Sequence, residues 1–122
     1  MSLILGSHFE FEACHSLPGE EVYGVCSNMH GHRYEMDIEV EGTVNQYGWI
    51  CNFNELKEIV QKNVIDVYDH SNLNDFFPVP TAENIAIVIF DKINGVLQGK
   101  NYKLKKVSLH ETGRNYVEVT AS

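Results

Sequence analysis

HRYEMDIEVE, residues 32–41, alternates without a break: Tyr34, Met36, Ile38 and Val40 point one way, and Arg33, Glu35, Asp37, Glu39 and Glu41 point the other. Successive strand side chains project to opposite faces, so this stretch reads as a strand with one face in a core and one in water. Such a two-faced pattern belongs to an antiparallel sheet, because parallel strands are usually covered on both sides. Upstream, residues 8–15 repeat the alternation, with Phe9, Phe11, Ala13 and His15 on one face and His8, Glu10, Glu12 and Cys14 on the other.

Downstream the period changes. Asn52 is a good helix N-cap, and Glu55 three residues on suggests a reciprocal capping bond. Leu56, Ile59, Val60, Val64 and Val67 then follow at helical spacing. Pro78 and Pro80 close a loop before Thr81, the expected N-cap of a second helix carrying Ile85, Ala86, Ile89, Phe90, Ile93 and Leu97. Gly95 or Gly99 is expected to end it. Val107 and Leu109 point the same way as Glu111, and residues 116–120 pair back across Gly113 and Arg114. The order ββααββ predicts one α+β domain over residues 1–122, an antiparallel sheet with two helices on one face.

Length and composition set further bounds. A chain of 122 residues that is 43% hydrophobic suits a single packed domain. Seventeen acidic against nine basic residues leave a net charge of −8, which argues against a nucleic-acid groove or an anionic membrane surface as partner. No run approaches the roughly 20 apolar residues that cross a bilayer, and the N-terminus lacks the pattern of a signal peptide. Three cysteines (Cys14, Cys26 and Cys51) without a C-x-x-C suggest a reduced, cytoplasmic protein. Long strands on so small a chain leave exposed sheet edges, which favours oligomerisation.

The chemistry gathers at few positions. His30 and His32 are two apart on a strand and share its inner face, which Tyr34 continues; His15 shares the inner face of its own strand. If the two strands form a hairpin, three imidazoles meet at one end. Three neutral histidine nitrogens with an open fourth position suit catalytic Zn²⁺. An H-x-H in a strand is more often an ordinary pair, and the third in-phase histidine is what makes the metal reading competitive. Cys26 lies four residues before His30 in a turn-rich loop. A lone loop cysteine is more often a bystander, although a thiol near a metal serves as base or nucleophile. Asp69 beside His70 either orients an imidazole for proton transfer or simply ends a helix in an Asx turn. Glu111, on the apolar side of its strand, needs a partner or a ligand with a bidentate N–H edge. Capping accounts for Thr81, and the helix dipole for Glu83.

In combination these residues resemble the 6-pyruvoyl-tetrahydropterin synthase and 6-carboxytetrahydropterin synthase family. The matching stretches are FEACH ending at His15, CSNMHGH ending at His32, YDHSNLN around His70, PTAEN at Pro80–Asn84 and LHET at Leu109–Thr112. Their order and spacing match over essentially the whole chain. The resemblance implies the tunnelling fold, in which hairpins from several subunits close a barrel, and a homohexamer built as a dimer of trimers with sites between subunits. It implies His15, His30 and His32 as Zn²⁺ ligands and Cys26 as the thiol that moves protons on the substrate side chain. Asp69 and His70 become partners in a second proton transfer, contributed from a neighbouring subunit. Glu111 becomes the carboxylate that grips the pterin edge, with Thr81 as a further pterin contact. The implied substrate is 7,8-dihydroneopterin triphosphate, whose charge would call on basic residues such as Arg33, Lys103, Lys105 or Lys106.

Three residues separate Cys26 from His30. This spacing resembles the bacterial carboxy-synthase branch, which serves queuosine and other deazapurine pathways and releases acetaldehyde. The animal pyruvoyl-synthase branch carries a longer insertion there. Asn52 and Arg33 depart from the family's commoner residues, Asp at the cap and Asn or Ser after the H-G-H. A non-catalytic zinc- and pterin-binding oligomer is the competing reading, and a structural zinc site lacks a fourth ligand near His30 and His32.

Overall fold

The computed structural model describes all 122 residues. Strand β1 spans Leu3–His15, five residues longer at its start than its alternation suggests, and β2 spans His30–Gly42. They pair antiparallel in one unbroken register from Leu3 opposite Gly42 to His15 opposite His30. The face read as internal is internal: Tyr34, Met36, Ile38 and Val40 are all 0% exposed. A short helix α1 (Glu20–Tyr23) and a 3₁₀ turn (Gly24–Ser27) connect the two strands.

Helix α2 (Phe53–Val60) starts on Asn52, whose side chain accepts from the Asn54 N–H at 2.9 Å. The reciprocal bond expected of Glu55 does not form. Its carboxylate instead accepts from Lys100 and from the Tyr102 hydroxyl, both at 2.9 Å, and so ties the helix start to the far end of the sheet. Beyond Val60 the helix widens into a π turn (Gln61–Ile65) and then a single turn α3 (Asp66–Tyr68). The extra residue per turn shifts the buried stripe to Val64, Ile65 and Tyr68, so that Val67 is only half-buried. Helix α4 (Ala82–Val96) starts on Thr81, as its sequence indicates. It runs through Gly95, and the chain turns away at Gly99, whose φ of 86° favours glycine.

Strand β4 (Tyr102–His110) pairs antiparallel with β2, and β5 (Tyr116–Thr120) pairs antiparallel with β4. Tyr102, Leu104, Val107 and Leu109 are all buried, although strict alternation would turn Leu104 and Val107 to opposite faces. A bulge resolves the conflict: Glu39 opposes Lys106 and Val40 opposes Leu104, leaving Lys105 unpaired. A two-residue strand β3 (Ser71–Asn72), not anticipated by any sequence pattern, pairs parallel with the end of β1 and makes the order β3-β1-β2-β4-β5. The result is an α+β fold whose single core of 25 buried residues lies between the sheet and the long helices. No helix is long and apolar enough to cross a membrane.

Candidate metal and pterin site

The site lies where β1 ends and β2 begins. Because the register places His15 opposite His30, and His32 lies two residues further along the same face, the hairpin gathers three imidazoles edge to face at the end closed by the α1 connection. Their ring centroids are 4.6–5.0 Å apart, and one ligand nitrogen from each lies within 4.8 Å of the others. The Nε2 atoms of His15 and His30 are 3.1 Å apart.

Main-chain carbonyls set two of the three rings. His15, 1% exposed, donates its Nδ1–H to the Pro80 carbonyl at 2.8 Å, and His30 donates its Nδ1–H to the Asn28 carbonyl at 2.7 Å. Each bond leaves Nε2 as a lone pair directed into the cluster, the arrangement that orients histidine ligands in metal sites. The Tyr34 hydroxyl lies 3.4 Å from His15 Nδ1, and burial pushes its ionisation well above the usual tyrosine range. His32 Nε2 is buried without a hydrogen-bond partner. Glu111 Oε1 stands 3.6 Å from it, too far for a hydrogen bond. Burial pulls the His32 pKa below its ordinary value, against the attraction of Glu111, and so favours the neutral ring that a metal requires. Three converging nitrogens, one of them orphaned, fit a divalent ion of the zinc type with an open fourth position.

The other residues singled out from sequence are spread around this centre. Glu111 follows directly on β4 and reaches the histidines from the side. Cys26 sits in the 3₁₀ turn, where its carbonyl accepts from the Leu17 N–H at 2.9 Å. Its thiol is not among the three clustered ligands. Thr81 spends its hydroxyl on the helix cap, accepting from the Asn84 N–H at 3.2 Å. Its neighbour Pro80 supplies the carbonyl that holds His15, so one loop both starts α4 and orients a ligand.

Asp69 and His70 lie on the outer side of β1. Asp69 Oδ2 is 2.9 Å from His70 Nδ1, and the other carboxylate oxygen accepts from the Glu12 N–H at 2.9 Å. The Glu12 N–H and the His70 imidazole hold the Asp69 carboxyl below its usual range, and Asp69 in turn raises the pKa of His70. The imidazole is 75% exposed and turned outward, away from the buried core.

Of the basic residues that the sequence suggested for an anionic substrate, only Arg33 is at this end. It pairs with Glu10 and lines the cleft shared with His32 and Glu111. Lys105 pairs with Glu41, and Lys106 with Glu39 and Glu118. Lys103 lines a cleft with Met1 and Tyr102 at the other end of the strands. The carbonyls of Pro80 and Asn28 escaped sequence reasoning, since a main-chain acceptor leaves no residue-type signal.

The sequence profile described as 6-pyruvoyl tetrahydropterin synthase matches residues 4–122. The 6-carboxy-5,6,7,8-tetrahydropterin synthase of Bacillus subtilis is 32% identical over 126 aligned positions, covering 94% of this chain and 82% of that protein. The dihydroneopterin monophosphate aldolase of Pyrococcus furiosus is 37% identical over 109, covering 89% and 90%. Among solved structures, the 6-pyruvoyl tetrahydropterin synthase of Caenorhabditis elegans superposes with a TM-score of 0.90 at 30% identity, covering all of this chain and 97% of that one. With the profile running from the second residue of β1 through residue 122, over the hairpin that gathers the histidines, the chain belongs to the 6-pyruvoyl tetrahydropterin synthase family.

Proposed function

We propose that the protein is a zinc-dependent 6-carboxy-5,6,7,8-tetrahydropterin synthase that converts 7,8-dihydroneopterin triphosphate and one water to 6-carboxytetrahydropterin, acetaldehyde and triphosphate, as in deazapurine and queuosine biosynthesis. The observation that carries it is the inner-face cluster of His15, His30 and His32, preset by two carbonyls and flanked by Glu111. The short Cys26–His30 spacing and the likeness to the Bacillus subtilis enzyme support this branch.

Bound there, zinc supplies a Lewis acid for the oxygens of the substrate side chain. Glu111 accepts from the 2-amino and ring N–H edge of the pterin, with Thr81 nearby as a further contact, and this fixes the side chain toward the histidines. Cys26 takes and returns a proton on the side-chain carbons. His70, held by Asp69, carries a second proton, and its outward-turned, exposed ring suits a site completed by a neighbouring subunit. The unpaired edge of β5 and the two-residue edge strand β3 suit lateral pairing in a homohexamer, a dimer of trimers.

A second reading is aldol cleavage of a dihydroneopterin carrying one phosphate. The Pyrococcus furiosus relative is named for that activity, and a single phosphate asks less of a site where the guanidinium of Arg33 is already paired with Glu10. Mass spectrometry of products from zinc-loaded protein separates the readings. With the triphosphate substrate, acetaldehyde and a 6-carboxypterin support the proposal, and a 6-pyruvoyl product without acetaldehyde moves the chain to the other synthase branch. With the monophosphate, a 6-hydroxymethylpterin and a phosphorylated two-carbon aldehyde establish the aldolase. No turnover with bound zinc and pterin leaves a binding oligomer.

A further inference from the structure

His70 has a φ of 59°, the one non-glycine residue of the chain on that side of the conformational map. A histidine held in this sparsely populated region requires surroundings that over-determine it. Here a single residue of β1 does so. The His70 N–H donates to the Glu12 carbonyl, and the Glu12 N–H donates to Asp69 Oδ1 at 2.9 Å. The parallel pairing of β1 with β3 begins at the next residues, Ala13 opposite Ser71. The Glu12 side chain turns back over the same feature, with Oε2 3.8 Å from His70 Nε2. Asp69 holds the opposite ring nitrogen, Nδ1, at 2.9 Å.

We propose that Glu12 is a positioning residue for His70, holding its imidazole between two carboxylates so that Nε2 is presented outward as a proton carrier. The side chains of His70 and Glu12 are 75% and 64% exposed, so packing does not orient the ring and the polar contacts at its two ends must. At 3.8 Å the Glu12 oxygen attracts an imidazolium but forms no hydrogen bond, which leaves Nε2 open to a substrate hydroxyl. The other titratable groups lining the clefts beside the ring are Glu10, Cys14, His32 and Arg33. Arg33 is tied to Glu10, so Asp69 and Glu12 are the carboxylates that bear on the ring directly. Their order of effect is Asp69 first and Glu12 after it, both raising the His70 pKa.

The inference rests on the reading of His70 as a proton carrier, and the test separates the two. Histidine NMR titration of the full-length, zinc-loaded protein reads the His70 pKa without turnover. Glu12→Gln is expected to lower it by about half a unit, Asp69→Asn by more, and Glu12→Asp by little. In the product assay, Glu12→Gln is expected to lower kcat with little change in KM and to move the His70 limb of the pH profile by the same half unit. An unmoved His70 pKa in Glu12→Gln, or an equal loss in Glu12→Asp, overturns the role of Glu12. Undiminished turnover in His70→Gln overturns the proton-carrier reading instead, and the NMR shift tells the two failures apart.

Discussion

His15 Nε2 and His30 Nε2 stand 3.1 Å apart, and each ring gives its Nδ1 hydrogen to a main-chain carbonyl, of Pro80 and Asn28 respectively. Two lone pairs that close repel unless something positive lies between or beside them. The hairpin register alone does not impose that geometry; the two carbonyls do, by choosing the tautomer. A site so arranged has met the orientation cost of metal binding before the ion arrives.

Zinc is therefore expected at about one ion per chain after equilibrium dialysis, with a melting temperature that rises with free zinc. His32→Ala is expected to lower zinc affinity by more than about a hundredfold, beyond the ten- to hundredfold typical of losing an outer-shell partner. Affinity within about threefold of the wild type would show that His32 is no ligand.

Thr81 separates two roles in one experiment. As a cap whose hydroxyl accepts from Asn84 N–H, its replacement by Ala is expected to destabilise the protein by about 1 kcal/mol, and Thr81→Asn to restore most of that. If Asn restores stability in thermal melts while KM for the pterin stays raised, the hydroxyl also touches substrate. Full recovery of both leaves Thr81 as a cap alone.

On the outer face, His8 Nδ1 lies 2.8 Å from Asp37, and that bond raises the His8 pKa above 6.5, with Glu35 adding to it and partial burial opposing. A raised folded pKa means that the stabilisation is fully present below the unfolded value and is lost as pH rises through the folded one. Denaturant titrations should find Glu or Asp partners helping only while His8 is charged. His8→Gln is thus expected to cost more stability near about pH 5.5 than near about pH 8.5. A pH-independent difference would refute the ion pair.

Helix α4 provides an internal comparison of burial. Ile89 is 0% exposed and Ile87 is 49% exposed. Ile89→Ala is expected to cost about 2–5 kcal/mol in urea unfolding, and Ile87→Ala to change stability by less than about 0.5 kcal/mol. Similar losses at both would mean that the outer side of α4 is covered in solution.

Much of this was legible in the residues. The alternation of Tyr34, Met36, Ile38 and Val40 specified a half-buried antiparallel strand, and Asn52 and Thr81 marked both helix starts. The phase of His15, His30 and His32 placed all three on the inner face. Periodicity carries such information because backbone geometry translates spacing into direction.

Other features had no such signal. Glu55 satisfies the capping pattern yet bonds Tyr102 and Lys100, because partners 45 or more residues away compete for the same oxygens. The bulge at Lys105 and the π turn after Val60 re-phase a strand and a helix to suit the core, which local spacing cannot report. Strand β3 is two residues of ordinary composition, recruited by the exposed edge of β1.

The order of residues along the chain dictates which faces are wet and which are dry, and therefore that three histidines share an inner face in an α+β sheet. The folded chain adds that a loop before α4 presents a carbonyl to His15, that Glu111 arrives beside His32, and that Glu12 and Asp69 bracket His70. The reason is physical: face and period follow from local backbone geometry, whereas tautomer, ligand direction and ion pairing depend on distances between segments remote in the chain, which exist only once the core has closed.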